Sequence, residues 1–508
     1  TSILGHEGIQ KMIKYGYVIV AADARGTGAS TGWRKGEFSR DEAFDGYEIT
    51  QWIASQKWCN GKVGMFGRSY MGISQYMVAS TKPKNLKAIF PEMAMFDTYD
   101  FIYQGGIFKK PFNDVWGNLI RYLDMEGNPA PVDNDPEAQA IRQAIIQRAK
   151  NIYPDELNAS LLPIRDAWHD SIGFYPFIEN SPSNYLEEIN QAMIPAYIFA
   201  GWQDAYIKDA LLWFANLIAP HKISIGSWHH GNNDNFDLTI ERIRWFDYWL
   251  KDTDNGVMAE KPVYYHTSGT ESGSGWAASD TWPVNGTKVS TYFLGAGIPS
   301  RPLATMQENV FPPVRDESFS DTYIFDLTTS SGNSSRWAAT HGAKFSTPDM
   351  TFNDKKSLTY TSLPLNNDML ITGHPILYLW VIPSQIDFEL FVYLNEVDEK
   401  GKSVNLTEGC IRASHRLASK APYQNLNTPW FRRYEEDLRP CKPGEPVLLC
   451  FDLIPLSHLV KKGHSIRISI CAADIDNALN SVNKPNGHFS ILSSDTHSSF
   501  IEIPVVTK

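Results

Sequence analysis

The 508 residues predict an α/β fold with a parallel sheet, interrupted by a helical insertion and followed by an all-β sandwich. Three observations point there. Short apolar runs alternate with amphipathic segments up to about residue 96 and again after residue 190, the rhythm of strand–helix–strand crossovers. The stretch between, 97–190, is aromatic and Pro-interrupted and shows no strand alternation. From residue 286 onward, short period-2 runs follow one another with turn signals, not helices, between them.

In chain order, Tyr17-Val-Ile-Val-Ala-Ala is a β-branched run, expected as a strand buried on both faces of a parallel sheet. Residues 41–55 carry Phe44, Tyr47, Trp52 and Ile53 at helical spacing. Lys62-Val-Gly-Met-Phe-Gly reads as the next strand, 70–81 as a helix and Leu86-Lys-Ala-Ile-Phe-Pro as a third strand. Within 97–190 one helix is evident near 136–150, and this block is expected to lie over the sheet as a cap. The α/β rhythm resumes with a strand at Ile194-Pro-Ala-Tyr-Ile-Phe-Ala, a helix near 205–217, a strand at Lys222-Ile-Ser-Ile-Gly and a helix bearing Trp245, Phe246, Trp249 and Leu250. The expected division is therefore 1–96 with 191–285 as the α/β domain, 97–190 as the helical cap and 286–508 as a jelly-roll-like β-sandwich. In the last part Ile466, Ile468 and Ile470 alternate with Arg467 and Ser469, the signature of a half-buried strand, while the Ser/Gly/Asn-rich interval 329–346 reads as a loop.

Composition narrows the function classes. Hydrophobic residues at 43% and charged residues at 20% are ordinary for a globular protein. A net charge of −11 excludes a general nucleic-acid binder, which needs a basic face. No apolar run is long enough for a transmembrane helix, so no membrane association is expected. The first residues form no signal peptide and lack an initiating Met, and an upstream segment is expected. Five cysteines without CxxC spacing fit a reduced, cytoplasmic protein, with a Cys441–Cys450 bridge as the minority alternative.

The chemistry concentrates at three places. Gly67-Arg68-Ser69-Tyr70-Met71-Gly72 sits where a strand ends and a helix begins, the setting that lifts a nucleophilic hydroxyl above an α/β-hydrolase sheet. Gly67 relieves crowding, and the Tyr70 backbone N–H is placed to donate to an oxyanion. Met71 stands where such turns usually have a second glycine. An acid should follow a later strand, and Gly201-Trp202-Gln203-Asp204 supplies one, although a lone Asp there would more often cap the next helix. A histidine should follow the next strand, and Gly226-Ser227-Trp228-His229-His230-Gly231 offers two. The adjacent pair could also suggest a metal, but no further ligands at suitable spacing are evident, and neither metal nor cofactor is expected. The order Ser, acid, His makes Ser69, Asp204 and His230 the expected catalytic triad.

These stretches resemble the signature segments of CocE/NonD hydrolases, the cocaine esterase-like enzymes, and the C-terminal part resembles the domain shared with X-Pro dipeptidyl-peptidases. The resemblance places the catalytic histidine at His230 and leaves His229 variable, with Ser227 where the family has proline. It extends to Asp23-Ala-Arg25-Gly, taken as a structural ion pair or loop anchor. It implies a helical cap and a sandwich flanking the site, and a second oxyanion donor from a tyrosine upstream of the first residue. Relatives that prefer α-amino acyl groups carry acids where this chain has Tyr206 and Ile207, and near Tyr103, so a neutral acyl ester is favoured. Among the aromatics of the cap and loops, Tyr99, Phe101, Tyr103, Phe108, Trp116, Trp168, Trp202 and Tyr206 are candidates for the substrate pocket, with plain core packing as the competing reading. The expected function is a serine hydrolase cleaving a small-molecule carboxylic ester, with an amide left open, through an acyl-enzyme. The rivals are an X-Pro dipeptidyl-peptidase or α-amino acid ester hydrolase, and a non-catalytic protein binding through its sandwich. A homo-oligomer is left open.

Overall fold

The computed structural model describes residues 6–126, 135, 137–271, 273–295 and 319–507. Five strands form a parallel sheet in the order β1 (Val63–Arg68), β2 (Leu86–Glu92), β3 (Ala196–Gly201), β4 (His221–Gly226) and β5 (Val263–His266), and β6 (Trp276–Ser279) adds an antiparallel edge. Around it lie α1 (Glu7–Lys14), α2 (Arg40–Ser55), α3 (Tyr70–Ala79), α10 (Ile207–Asn216) and α11 (Leu238–Lys251). Every residue of β3 is buried, as an apolar strand covered by helices on both faces should be.

The run Tyr17–Ala22 is not a strand. It has no ladder partner among the described residues, Val18 is 60% and Val20 40% exposed, and a cavity of about 2430 Å³ lies between it and β1. β-branched side chains suit a pleated, half-buried surface, but a strand exists only when its N–H and C=O groups are paired. Residues 1–5 of the N-terminal reading lie outside the described residues.

Between β2 and β3 the chain makes α4 (Thr98–Ile102), α5 (Lys110–Met125), α6 (Gln139–Arg148), α7 (Pro154–Ser160), α8 (Pro176–Glu179) and α9 (Leu186–Ala192). The sequence suggested one helix here. The prolines that made the stretch look irregular sit at the starts of α5, α7 and α8, where a missing N–H costs nothing.

The C-terminal part contains two antiparallel sheets. One holds eight strands: β7 (Thr287–Phe293), β8 (Phe319–Ile324), β10 (Met369–Gly373), β11 (Ile376–Pro383), β14 (Val447–Asp452), β15 (Leu456–Val460), β17 (His488–Ser493) and β18 (Phe500–Val506). The other orders β13 (Ser403–Arg412), β12 (Glu389–Val397), β16 (Ser465–Cys471) and β9 (Leu358–Thr361). Side chains such as Leu377, Leu379, Val392, Ile468 and Ile491 from both sheets share one core. The interval 329–346 contains a short helix, α12 (Arg336–Ala339), and is tied down by Ser331 Oγ donating to Asp474 (2.7 Å) and Ser335 Oγ donating to Asn477 (2.7 Å). All five cysteines are free, so Cys441 and Cys450 form no bridge. No helix of the described residues is long and apolar enough to cross a membrane.

The sandwich is bound to the cap through buried charge. Arg165 pairs with Asp97 and with Asp100 (3.0 Å), and Arg433 reaches Asp100 from the sandwich side (2.7 Å). Removing one member of such a cluster leaves an uncompensated buried charge, a loss of about 3–5 kcal/mol. Arg165→Met is therefore expected to lower unfolding stability by that amount in urea titrations, and adding Asp97→Asn to recover part of it. A loss under about 1 kcal/mol would show the cluster to be energetically idle.

Candidate active site

Ser69 alone bridges β1 and α3, and its backbone takes φ 59°, ψ −122°, a conformation that costs an L-residue on the order of 1–3 kcal/mol. The turn is held from both sides. Ser69 N–H donates to Glu92 O (2.9 Å), and Ser69 O accepts from the N–H groups of Gly72 and Ile73 (2.8 Å each). A Cβ on Gly67 would fall 2.6 Å from Met71 Cβ, and one on Gly72 would fall 2.8 Å from Glu92 O. The close approach therefore lands on positions 67 and 72. Met71 itself is 61% exposed, which is why it can replace a glycine. Tyr70 opens α3, so its N–H has no intrahelical acceptor.

Asp204 follows β3 and is buried. Its N–H donates to Gly201 O (3.0 Å), its Oδ1 accepts from Tyr206 N–H (3.0 Å) and its Oδ2 lies 3.0 Å from His230 Nδ1. The Asp therefore shapes its own turn instead of capping α10, which begins at Ile207. Arg336, on α12 in the C-terminal part, supports the turn from behind by donating to Trp202 O (3.1 Å) and Asp204 O (3.3 Å).

His230 follows β4. Glycine is required at Gly201 and Gly226, where added Cβ atoms would meet Trp228 O at 2.1 Å and the Trp228 ring at 2.2 Å. Ser227, in the place of the family proline, bonds His266 Nδ1 and Ser268 Oγ (2.7 Å each). His229 turns away and stacks on Phe345 (5.2 Å). Asp23 and Arg25 do not pair with each other: Arg25 is held by Asp45 (2.6 Å), and Asp23 accepts from Ala29 N–H (2.9 Å).

Tyr206 borders all three residues. Its N–H is bonded to Asp204, its ring lies edge-on to His230 (5.6 Å), and it lines the same cavity as Ser69. Among the described residues, Ser69 and His230 are not hydrogen-bonded to each other. Such bonds are often loose without substrate and tighten when it binds.

Ser69 opens into a largely apolar cavity of about 60 Å³, walled by Phe38, Ile73, Met95, Phe101, Phe112 and Leu157 among others. Of the sequence candidates Phe101, Trp116 and Tyr206 line it. Tyr103 and Phe108 stack on each other (4.9 Å) in the core behind, with the Tyr103 hydroxyl donating to Asn158 O (2.8 Å). Trp202 is buried and donates to His266 O (2.6 Å). Trp168 lies at the surface, 49% exposed, against Tyr175. Large aromatics pack wherever apolar volume is available, so residue type alone did not separate wall from core. Glu37 and Phe38, on the wall, were missed because no motif marks them.

One carboxyl, Glu37, lines this wall, and a second, Glu42, lies behind Tyr70. Tyr70 hydroxyl donates to Glu42 Oε2 (2.6 Å), and Trp116 Nε1 donates to Glu37 Oε1 (2.8 Å). Burial pushes each up to about 7, against hydrogen bonds and the Arg34 guanidinium that pull down. A carboxyl whose folded value lies above its unfolded one contributes stability present below pH of about 4.3 and lost as pH rises through about 7. Denaturant titrations should show Glu42→Gln flattening the decline between pH 5 and pH 8 by on the order of 2 kcal/mol. An unchanged slope would mean Glu42 is ionised throughout.

Comparison with known proteins is consistent over the whole chain. The X-Pro dipeptidyl-peptidase (S15 family) model matches residues 4–232, and that of the X-Pro dipeptidyl-peptidase C-terminal non-catalytic domain matches 255–496. A Mycobacterium bovis protein named "Putative serine esterase Mb1866c" is 32% identical over 558 residues, covering 98% of this chain and 84% of its own. The cocaine esterase of a Rhodococcus species is 24% identical, covering 91% and 82%. A CocE/NonD family hydrolase from Staphylococcus aureus superposes with a TM-score of 0.71 at 19% identity, covering 95% and 78%.

Proposed function

Because this chain belongs to the S15/CocE–NonD family of serine hydrolases, we propose that it hydrolyses a carboxylic ester with a small acyl group, using Ser69, Asp204 and His230 as its triad. One observation carries the assignment. A buried Asp204–His230 hydrogen bond of 3.0 Å and a serine in a strained strand-to-helix turn meet around Tyr206, beside one apolar cavity.

In this reading Ser69 Oγ attacks the acyl carbon while His230 Nε2 takes its proton. Asp204 Oδ2 holds Nδ1–H, fixing the tautomer and stabilising the imidazolium. The Tyr70 N–H, at the positive end of α3, donates to the oxyanion. His230 returns the proton to the departing alkoxide, then activates water to cleave the acyl-enzyme, and Ser69 recovers its proton. The apolar wall and the small volume favour a short, largely uncharged acyl chain.

Labelling with a fluorophosphonate, followed by mapping of the adduct by mass spectrometry, tests the assignment. The adduct is expected on Ser69 and to be lost in Ser69→Ala. A folded protein that hydrolyses esters but is modified elsewhere, or not at all, would sink it.

A further inference from the structure

The cavity beside Ser69 has one polar feature that acyl transfer does not use. Glu37 projects into it from between two residues of left-handed backbone, Gly36 (φ 95°) and Phe38 (φ 57°). For phenylalanine that conformation costs on the order of 1–3 kcal/mol and persists only where its surroundings impose it. Here they do. Phe38 packs on the Tyr70 ring (4.5 Å), and a Cβ on Gly36 would press on Asn180 Nδ2 at 3.1 Å and Leu157 Cδ2 at 3.3 Å, both on the cavity wall. The strained kink therefore turns a carboxyl inward that an ordinary loop would leave in water.

Its hydrogen bonding is half complete. Oε1 accepts from Trp116, which fixes the carboxyl plane, while Oε2 accepts from none of the described residues. Three other polar groups on the wall are engaged: Thr98 Oγ1 donates to Asn180 O (2.9 Å), Asn158 Nδ2 donates to Asn113 Oδ1 (2.7 Å), and Thr340 Oγ1 bonds Trp337 O. A carboxyl oxygen at the cavity wall without a donor from the described residues is open to a ligand donor, which is favoured there over a methyl.

We propose that Glu37 is the specificity-determining residue of the pocket, accepting a hydrogen bond from a hydroxyl or ammonium group on the acyl part of the substrate. The proposal rests on the esterase reading above for its acyl substrate and extends it to a substrate class. A carboxyl in this pocket is absent from the sequence-based expectation of a purely neutral acyl chain, which considered only positions 103, 206 and 207.

The test compares nitrophenyl esters of short straight acyl chains that end in methyl, hydroxyl or ammonium. The wild-type enzyme should prefer a donor-ended ester over its methyl-ended isostere of matching length, and Glu37→Gln and Glu37→Leu should cut that preference by about ten- to a hundredfold in kcat/KM. Hydroxyl and ammonium chains, read separately, show which donor is meant. Binding of the corresponding N-methyl amides to Ser69→Ala protein, measured by calorimetry, reads the same preference without chemistry, so failure of the esterase assignment would leave this result standing. Equal selectivity in wild-type and Glu37 variants, or equal affinity for donor- and methyl-ended amides, would overturn the proposal.

Discussion

Replacing Ser69 by alanine is expected to lower kcat for ester hydrolysis by about 10⁴- to 10⁶-fold with the fold intact. The residue is a poor candidate for a structural role. Its side chain caps no helix N–H, and its backbone strain would remain with any L-side chain at that φ. Stability should therefore change by less than about 0.5 kcal/mol. Initial rates on a short-chain nitrophenyl ester, with unfolding curves for both proteins, check both halves. A loss below about tenfold would place the nucleophile elsewhere.

Asp204→Asn should lower kcat by about 10⁴-fold through the tautomer of His230. The geometry makes the direction of the effect specific. Oδ1 of Asp204 accepts from the Tyr206 backbone N–H, so the amide oxygen of an asparagine is held on that side and its NH₂ faces His230 Nδ1. The imidazole must then carry its proton on Nε2, where it cannot accept one from Ser69. KM should change far less than kcat, because Asp204 is buried behind the histidine and does not line the cavity. A variant with normal kcat would show that His230 is oriented by another group.

What lies close in sequence was readable. The strands β1 to β4 and the helices after them follow from apolar runs and their punctuation, and the residues closing each strand name a serine, an acid and a histidine in the order an α/β-hydrolase uses. Gly67, Gly201 and Gly226 fit because the Met71 Cβ, a backbone carbonyl or an indole lies within 3 Å of where a side chain would begin. Within the helical cap 97–190 only one helix was legible, because proline breaks a helix interior, whereas here it starts helices.

What depends on distant neighbours was not. Tyr17–Ala22 has the composition of a buried strand, yet pairing requires another backbone at 4.7–4.9 Å, and a cavity lies there instead. Tyr206 and Tyr103 are both aromatics near the insertion, but only the packing of Phe101 and the turn at Asp204 decide that one faces Ser69 and the other Asn158. Glu37 precedes Ser69 by 32 residues and Arg336 follows Asp204 across a domain boundary, and neither belongs to a local pattern. Periodicity and turn chemistry act over a few residues and are written in the sequence. Burial, carboxyl shifts and a shared wall are set by which segments meet in space, and only the tertiary structure decides that.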